Sequence, residues 1–333
     1  MWRVILIVMV AALGIGGWYA LANYSLEVHC GSDGKFQYVR IVPRTASGGV
    51  PSEAAADQPP AAPLRPTIRV ATFNLEGLDD NRLANPKVCD SLVRILSRFD
   101  VVALQQIRSG NRGVLMRLKD QINATGRCFD FVTCPTLDRD PVEVYNAMLF
   151  DATTVEVEPL TVHSVDAPPG TFHVRPLVAE FRVRGPPPRE AFTFMLVNVQ
   201  VDPRRGPQEL DLLADVFRAA RDNGHRDESG HVEDDIIMLG DLETDPEHLG
   251  RLGRVPWLVA AVNGVPTTTR GTRLADNILF DRRATVEYTG RSGVLDMIRE
   301  LDLTPQEALE ISEHLPVWAE FSAYENGQAS HVN

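Results

Sequence analysis

Hydrophobic and polar positions alternate along the chain, between residues 67 and 323, in a pattern typical of an α/β domain. Short apolar runs recur there, and such runs indicate strands that are covered on both faces or packed sheet against sheet. The predicted strands are Ile68–Asn74, Val101–Ile107, Tyr145–Asp151, Leu177–Val183, Phe192–Val201, Asp235–Gly240, Ala275–Phe280 and Val317–Phe321.

Amphipathic helices are predicted between several of these strands. Lys87–Arg98 and Pro207–Arg221 each repeat large apolar residues at helical spacing, so each has one face for the core. Thr304 and Glu307 form a capping-box pattern with Pro at the first helical position, which predicts a helix ending at about Ile311. The alternation of strands and helices indicates one α/β domain rather than two.

A different pattern occupies the N-terminus. After Arg3, no charged residue interrupts the run from Val4 to Ala22, which is close to the ~20 residues that a helix needs to cross a bilayer. The positive charges before it should stay cytoplasmic, so the main domain should be exported. The last three residues of the run also fit a signal-peptidase site. We therefore expect residues 1–22 to anchor a single-pass cell-membrane protein with an extracytoplasmic domain, or to be cleaved from a secreted or periplasmic one.

The segment after this run has the composition of a tether. Residues 23–66 are predicted to be a short extracytoplasmic segment followed, from about Thr45, by a Pro- and Ala-rich linker without large apolar residues. The folded domain is predicted at 67–323, with a disordered tail at 324–333. The acidic cluster Asp227–Asp235 is predicted to be a solvated loop.

The net charge limits the kinds of partner that the chain can bind. At −12, it argues against a protein that holds nucleic acid through a basic surface. It does not exclude a nuclease, because divalent cations can offset acidic residues around a phosphate.

Polar side chains recur at the ends of the predicted strands, where α/β sheets usually place their sites. Each follows or precedes an apolar run directly. In chain order they are Asn74, Gln106, Glu143, Asp241, Glu243, Asp276, Asn277 and His314.

With its motifs in this order, the sequence resembles the endonuclease/exonuclease/phosphatase superfamily, and within it the deoxyribonuclease I-like branch. The resemblance extends from Ile68 to Phe321. It implies a four-layer α/β sandwich, in which two packed mixed sheets carry helices on their outer faces. It also implies Mg²⁺ or another divalent cation as cofactor and a phosphoester as substrate, with nucleic acid among the candidates. No protein partner is predicted.

Five positions match the family pattern: Asn74, Glu143, Asp241, Asp276 and His314. The resemblance implies that His314 is the base that activates water and that Asp276 orients its imidazole. It places Glu143 and Asp241 with them in the catalytic set, and Asn74 at the metal. Phosphoester hydrolysis needs such a base and a cation that neutralises charge.

Other positions depart from the pattern. Gln106 stands where a metal-binding Glu is expected, and a neutral amide is a poorer ligand for a hard cation than a carboxylate. Gln200 replaces the second His and cannot carry a proton near neutral pH. Glu243 replaces the Asn of the Gly-Asp-x-Asn segment, and Glu313 replaces the Asp before His314.

A candidate substrate-binding set completes the predicted site. Arg175 is the nearest match to the phosphate-contacting Arg of the family, although it is displaced by one residue. Gln200 and Asn277 are assigned to the same set. Each could donate a hydrogen bond to a phosphate oxygen.

Two interpretations follow from these departures. In the first, the site is rebuilt: Glu243 supplies the carboxylate that Gln106 no longer offers, and the cation moves toward Asp241. The chain is then a membrane-tethered nuclease or phosphodiesterase with a rebuilt or weakened metal site. In the second, turnover has been lost, and the chain is a catalytically inactive binding or structural module.

Overall fold

The computed structural model describes residues 24–30, 36–43, 66–109, 112–133, 144–222 and 233–327. The chain divides into two units, Met1–Gln58 and Pro59–Asn333. In the first unit, β1 (Tyr24–Cys30) and β2 (Phe36–Pro43) pair antiparallel. The apolar run at residues 4–22, most of the predicted linker and the last six residues lie outside the described ranges, so the predictions for them stand as predictions.

The second unit contains two mixed sheets, of which the first has six strands. In spatial order these are β14 (Tyr288–Val294), β15 (Val317–Ser322), β3 (Thr67–Leu78), β4 (Val101–Ile107), β6 (Tyr145–Asp151) and β5 (Phe129–Thr133). β3 and β4 run parallel, and the other neighbours run antiparallel. The last strand of the chain therefore lies inside this sheet, beside the first strand of the domain.

The second sheet has seven strands. In spatial order these are β12 (Leu258–Ala260), β13 (Asp276–Asp281), β11 (Ile236–Asp241), β10 (Thr193–Gln200), β9 (Leu177–Val183) and β7 (Val155–Val157), with β8 (His163–Ser164) also paired to β9. β10 and β11 run parallel, and the remaining pairs run antiparallel. Both sheets are thus mixed.

Among the described residues of the second unit, the longest α-helix has 17 residues and the others have at most 11. They are α1 (Asp80–Leu83), α2 (Pro86–Leu96), α3 (Gly113–Asn123), α4 (Gly206–Asp222), α5 (Met297–Leu301) and α6 (Pro305–Ile311). Single 3₁₀ turns occur at Pro159–Thr161, Pro246–His248, Leu252–Arg254 and Glu325–Gly327. Within the described ranges, no helix combines the length and the apolar character needed to cross a bilayer.

Three apolar clusters define the layers of the second unit. Leu92 and Leu118, from α2 and α3, pack in one cluster with residues of the first sheet. Phe194 belongs to a second cluster drawn from both sheets. Leu213 and Phe217 of α4 pack against the second sheet in a third cluster. Three apolar interfaces separate four layers, so the predicted four-layer α/β sandwich is confirmed.

A buried polar network joins the two sheets beneath the strand ends. Nε2 of Gln105, on β4, donates to Oγ1 of Thr72 at 2.9 Å and to Oδ1 of Asn198, on β10, at 2.8 Å. All three residues are fully buried. Buried amides need partners of this kind, because an unpaired one costs roughly 1–3 kcal/mol. The network fixes how the carboxyl ends of β4 and β10 lie relative to each other.

Candidate active site

Strand register brings several predicted side chains to one edge of the second sheet. Gln200 is paired with Asp241 across the parallel strands β10 and β11. Asp241 is in turn paired with Asp276 across the antiparallel strands β11 and β13. Asn74 of β3, in the first sheet, reaches the same place, since its Nδ2 donates to Oδ2 of Asp241 at 2.8 Å. The edge is therefore built by both sheets.

His314 completes this cluster from the segment before β15. Its Nδ1 lies 2.8 Å from Oδ2 of Asp276, and its Nε2 lies 4.0 Å from Oδ2 of Asp241. The imidazole is 6% exposed and both carboxylates are fully buried. The hydroxyl of Thr267 donates to the same Asp276 oxygen at 3.0 Å. Asp276 thus orients the ring, as the sequence predicts, with Nε2 on the side of Asp241.

Charges inside the cluster alter its protonation. Burial alone would lower the pKa of His314, but the carboxylates of Asp276, Asp241 and Glu243 outweigh it and raise that pKa to about 9. Burial, together with the charge of Asp276, raises the pKa of Asp241 to about 8. The free site therefore retains protons near neutral pH, and a bound cation would favour their release.

Two contacts hold the His314 segment against the end of β3. The hydroxyl of Ser312 donates to the carbonyl oxygen of Asn74 at 2.7 Å and accepts from the amide of His314 at 3.0 Å. The guanidinium of Arg82 donates to the carbonyl oxygens of Leu75, Glu76, Glu310 and Ile311. These bonds join segments that are more than 220 residues apart in the chain.

The backbone at and near the strand ends of the site is unusual. Glu76, Gln106 and Glu243 have φ angles of 50°, 56° and 57°, in the left-handed region that non-glycine residues adopt only at a cost. Gly240 has φ 153°, and a Cβ there would lie 1.9 Å from the carbonyl oxygen of Val199. Glycine is therefore required before Asp241. Strain of this kind concentrates at functional loops.

Glu243 forms an ion pair with Arg273, a residue that the sequence analysis did not select. Arg273 lies in the loop between Thr267 and β13 and is exposed, whereas the Glu243 side chain is 12% exposed. The pair raises the pKa of Arg273 further above its ordinary value. A carboxylate engaged in this way must leave Arg273 before it can bind a cation, so the rebuilt-site interpretation requires that exchange.

The oxygen atoms of the cluster suit a hard cation. Oδ1 of Asp276 and Oε1 of Gln200 are buried, and neither has a hydrogen-bond partner among the described residues. Asp241, Asp276 and His314 each offer a ligand atom within 4.8 Å of the others. Divalent cations such as Mg²⁺ prefer carboxylate and amide oxygens. The residues therefore fit the divalent cofactor that the sequence resemblance implies, with Oδ1 of Asp276 and Oε1 of Gln200 as oxygens available to bind it.

The two other predicted metal ligands are placed less favourably. Asn74 turns its Oδ1 toward the amide of Glu76, which donates to it at 2.8 Å, and presents its Nδ2 to Asp241. Gln106 is partly buried, and no hydrogen bond links it to the cluster in the part of the chain that the structure describes. In this arrangement Asn74 presents a donor, rather than a metal-ligating oxygen, to the cluster.

Two further predicted residues, Arg175 and Asn277, do not join the cluster. Glu143 lies outside the described residues. Arg175 is exposed and donates to the carbonyl oxygen of Ala167 at 3.1 Å. The amide of Asn277 is 1% exposed, donates to the carbonyl oxygen of Val262 and accepts from its amide. A substrate cannot reach Asn277 there, because its amide is used to hold the Val262 segment.

Four residues with defined roles at the site were not predicted as site residues: Arg273, Thr267, Ser312 and Arg82. Ser312 stands two residues before His314, so its neighbourhood in the sequence was a usable signal. No pattern in the sequence marks Arg82 or Arg273. Both act through contacts between separate segments that form only in the folded chain.

Curated proteins that are similar to this chain in sequence are named deoxyribonucleases. The chain is 24% identical to deoxyribonuclease gamma of Rattus norvegicus, over 75% of this chain and 83% of that protein. It is 28% identical to deoxyribonuclease-1-like 1 of Chlorocebus aethiops, over 76% of this chain and 84% of that protein. No protein-family model matches the chain.

Solved structures share the fold at lower identity. TDP2 of D. rerio, solved with a single strand DNA product, matches with a TM-score of 0.54 and 14% identity, covering 77% of this chain and 99% of that one. The human Nocturnin catalytic domain matches with a TM-score of 0.50 and 16% identity, and the match covers 78% of this chain and 96% of that one. With the curated relatives, these likenesses confirm the resemblance that the sequence motifs indicate.

Proposed function

We propose that this chain, a deoxyribonuclease I-like member of the endonuclease/exonuclease/phosphatase superfamily, hydrolyses phosphodiester bonds, with DNA as its substrate class. One observation carries the proposal: His314 is oriented by Asp276 at 2.8 Å and directs Nε2 toward the buried carboxylate of Asp241. A nuclease or phosphodiesterase-like function is also supported by the relatives, which are named deoxyribonucleases.

The chemistry follows from the orientation of the imidazole. With Nδ1–H held by Asp276, neutral Nε2 is an acceptor and can take a proton from water as that water attacks phosphorus. Asp276 then stabilises the imidazolium that forms. A divalent cation bound at Asp241, with the amide oxygen of Gln200 available, would neutralise the phosphate charge. No covalent bond to the protein is needed.

The substitutions argue for weak turnover. Gln200 can hydrogen-bond a phosphate oxygen but cannot carry a proton, and a general acid or base of that kind typically contributes ~10²–10⁴-fold in rate. Gln106 brings no charge to the metal, and the charge of Glu243 is already compensated by Arg273. We therefore propose a hydrolase slower than relatives with the full residue set.

The choice of DNA rests on two observations. The curated relatives are named deoxyribonucleases, and a protein of the same fold was solved with single strand DNA. The net charge of −12 argues against a broad basic surface. Arg273 and Arg270, in the loop before β13, would contact the phosphates instead, once each leaves its carboxylate partner, Glu243 or Glu313. Binding should then be weak and sensitive to salt.

We also propose that the domain acts outside the cytoplasm. The support is the uncharged run from Val4 to Ala22 after Arg3, which suits a membrane anchor or a cleaved signal. Fractionation of cells that express the full chain, with N-terminal sequencing of the product, tests this. A product in the cytosolic fraction that keeps its N-terminus would contradict it.

The activity test uses the purified full chain on plasmid DNA and on bis-(p-nitrophenyl) phosphate, with Mg²⁺, Mn²⁺ or Ca²⁺. The test variant is His314→Ala. The matched control is His248→Ala, because His248 is an exposed histidine whose partner is Asp245 on the surface. Turnover that disappears with EDTA and with His314→Ala, but survives His248→Ala, supports the proposal.

A second result would favour the inactive interpretation. If folded protein turns over neither substrate nor a lipid phosphodiester, hydrolysis is not its function. The chain would then be a binding module that has kept the fold.

A further inference from the structure

An exposed tryptophan stands at the start of β12, the edge strand of the second sheet. Trp257 directly precedes this strand and is 43% exposed. Large aromatic side chains are mostly buried, because removing them from water stabilises the fold. The other large apolar side chains that the described part of the chain exposes are Leu160, Val265 and Val286. Trp257 is therefore the one aromatic ring of this set that a ligand can reach.

Two arginine side chains lie over the indole of Trp257. Cζ of Arg283 is 3.3 Å from the centroid of the ring, and Cζ of Arg282 is 5.4 Å from it. Both arginines follow β13, and the antiparallel pairing of Leu258 with Asp281 brings that turn beside the tryptophan. The amide of Arg282 donates to the carbonyl oxygen of Trp257 at 3.1 Å. A guanidinium over an indole face is attracted by the ring electrons, so these contacts hold the ring in place.

The positive charge beside this ring is not neutralised by the protein. Among the described residues, no carboxylate forms an ion pair with Arg282, Arg283 or Arg254, and all three are exposed. Arg254 is three residues before the tryptophan in the chain. By contrast, Arg251 pairs with Asp215 at 2.8 Å. Unpaired guanidiniums on a chain of net charge −12 create a local region that attracts anions.

The backbone of Trp257 does not suit a residue of its size. Its φ angle is 66°, in the left-handed region that bulky side chains rarely adopt. A glycine would take this conformation without strain. A strained tryptophan that is also exposed contributes less to stability than a buried one, so its position points to a role at the surface.

This surface lies at the far end of β13 from the candidate active site. Asp276 is the first residue of β13, at the catalytic edge, and Asp281 is the last. A strand rises ~3.3 Å per residue, so the two ends of β13 are about 17 Å apart. Phosphates along one strand of nucleic acid follow one another every ~3.4 Å in a duplex. A substrate must therefore extend roughly five nucleotides or more beyond the reacting bond to reach Trp257.

Single-stranded nucleic acid has the chemistry that this surface would recognise. Unpaired bases stack on exposed aromatic rings whatever their sequence, and arginines hold the phosphates between them. In a duplex the base faces are already stacked on one another. An anionic membrane would also attract the arginines, but membrane binding grows with the apolar area that is buried, and one indole offers little.

We propose that Trp257, Arg282 and Arg283, together the Trp257 surface, bind a single-stranded segment of the DNA whose phosphodiester bond lies at the candidate active site. The inference rests on the proposed function for the kind of ligand, and it adds a second contact to it. Two contacts on one strand make the second binding event intramolecular. Strands long enough to reach both places should therefore bind more tightly than short ones.

The first test measures binding in EDTA, where metal-dependent cleavage cannot interfere. Fluorescence anisotropy gives the Kd of the full chain for a labelled strand of ~20 thymidine nucleotides, which exceeds the span to the surface. Trp257→Ala with Arg283→Ala should raise this Kd by at least about tenfold. Arg283→Ala alone should also reduce the slope of log K against log salt by about 0.7, because one phosphate contact is lost.

A matched control removes an exposed apolar side chain and an exposed arginine elsewhere. Leu160→Ala with Arg299→Ala makes that change at two exposed positions far apart in the sequence from the Trp257 surface. The Kd for the thymidine strand and its salt dependence should stay at the values of the unmodified chain. An equal loss of affinity in this control would overturn the proposal.

The second test separates the surface from the chemistry. Bis-(p-nitrophenyl) phosphate is too short to reach Trp257, so Trp257→Ala with Arg283→Ala should hydrolyse it at the unmodified rate. On long single-stranded DNA, the same variant should have a KM raised at least about fivefold with kcat little changed. If no protein hydrolyses either substrate but strand binding still depends on Trp257, the proposed function fails and the second contact stands. Hydrolysis together with undiminished strand binding by the variant would do the reverse.

One further outcome would also overturn the proposal. It is binding of the unmodified chain to vesicles of phosphatidylglycerol and phosphatidylcholine but not to the thymidine strand, which would make the surface a lipid contact. If Trp257→Ala with Arg283→Ala does not fold, Arg282→Ala with Arg283→Ala replaces it, since both side chains are exposed. Unchanged Kd and unchanged salt dependence in that folded variant would likewise contradict the surface.

Discussion

Nδ1 of His314 lies 2.8 Å from Oδ2 of Asp276, and both side chains are buried. The two residues come from different sheets, since Asp276 begins β13 and His314 precedes β15. A hydrogen bond across that boundary fixes the tautomer of the imidazole as well as its direction. The proposed hydrolysis at this edge depends on the hydrogen bond between His314 and Asp276.

Asp276→Asn should lower kcat/KM on DNA by ~10²–10⁴-fold while the protein stays folded, because an amide no longer favours the productive tautomer. Initial rates with Mg²⁺ and a circular dichroism spectrum measure both properties. Asp281→Asn, at the other end of β13, is the matched control, because its Oδ1 caps only the amide of Arg283. Equal rates for the two variants would remove Asp276 from the mechanism.

The protonation of His314 should appear in the pH profile. A base must be neutral to accept a proton, and the surrounding carboxylates raise the pKa of His314 to about 9. Activity should therefore rise with pH from 7 toward 9 and then level off. A bound divalent cation should shift the midpoint to lower pH.

Nuclear magnetic resonance of the imidazole checks the same prediction without turnover. Titrated free of metal, His314 should have its midpoint near 9. In Asp276→Asn the midpoint should fall toward the ordinary value, since a raising charge has been removed. A midpoint close to 6.5 in the unmodified protein would show that the cluster does not hold the imidazole as described.

Gly240→Ala should destabilise the fold by about 3 kcal/mol or more, because the new Cβ would meet a backbone oxygen and the φ angle is unfavourable. That oxygen, from Val199, lies 1.9 Å from the ideal Cβ position. Gly206→Ala is the matched control, with its nearest neighbour at 4.0 Å. Urea denaturation measures both, and similar midpoints would contradict the packing at Gly240.

Restoring the family residues should raise activity. Gln106→Glu with Gln200→His returns a charged metal ligand and a proton carrier, so the rate should increase by at least ~10²-fold. Gln208→Glu with Gln306→His makes the same changes at exposed positions and should have no effect. A folded double variant at positions 106 and 200 that stays as slow as the parent would show that these substitutions do not limit turnover.

The strand pattern was predictable where strands are buried on both faces. The bounds of β4, β6 and β9 agree with their apolar runs, because the sheets cover both sides of these strands. β14 was not predicted, since its sequence, YTGRSGV, is mostly polar and lies at the edge of its sheet. β3 also runs on past Asn74 to Leu78, beyond its predicted end.

The candidate site was predictable in its buried acids and not in its loop partners. The order of motifs was enough to bring Asp241, Asp276 and His314 together, since each stands beside a core strand. The ion pair of Glu243 with Arg273 depends on how two loops meet, which no local pattern encodes. For the same reason, Asn277 was assigned to substrate although its amide holds the backbone of Val262.

The position of β15 has a consequence for biosynthesis. This strand, near the end of the chain, lies between β14 and β3, and pairs with the first strand of the domain. During translation, β3 lacks that neighbour until almost the whole chain has been made, and contacts so distant in sequence form slowly. The catalytic edge needs β3 and the segment before β15 together. An incomplete chain therefore lacks the assembled edge at which Asp241, Asp276 and His314 meet.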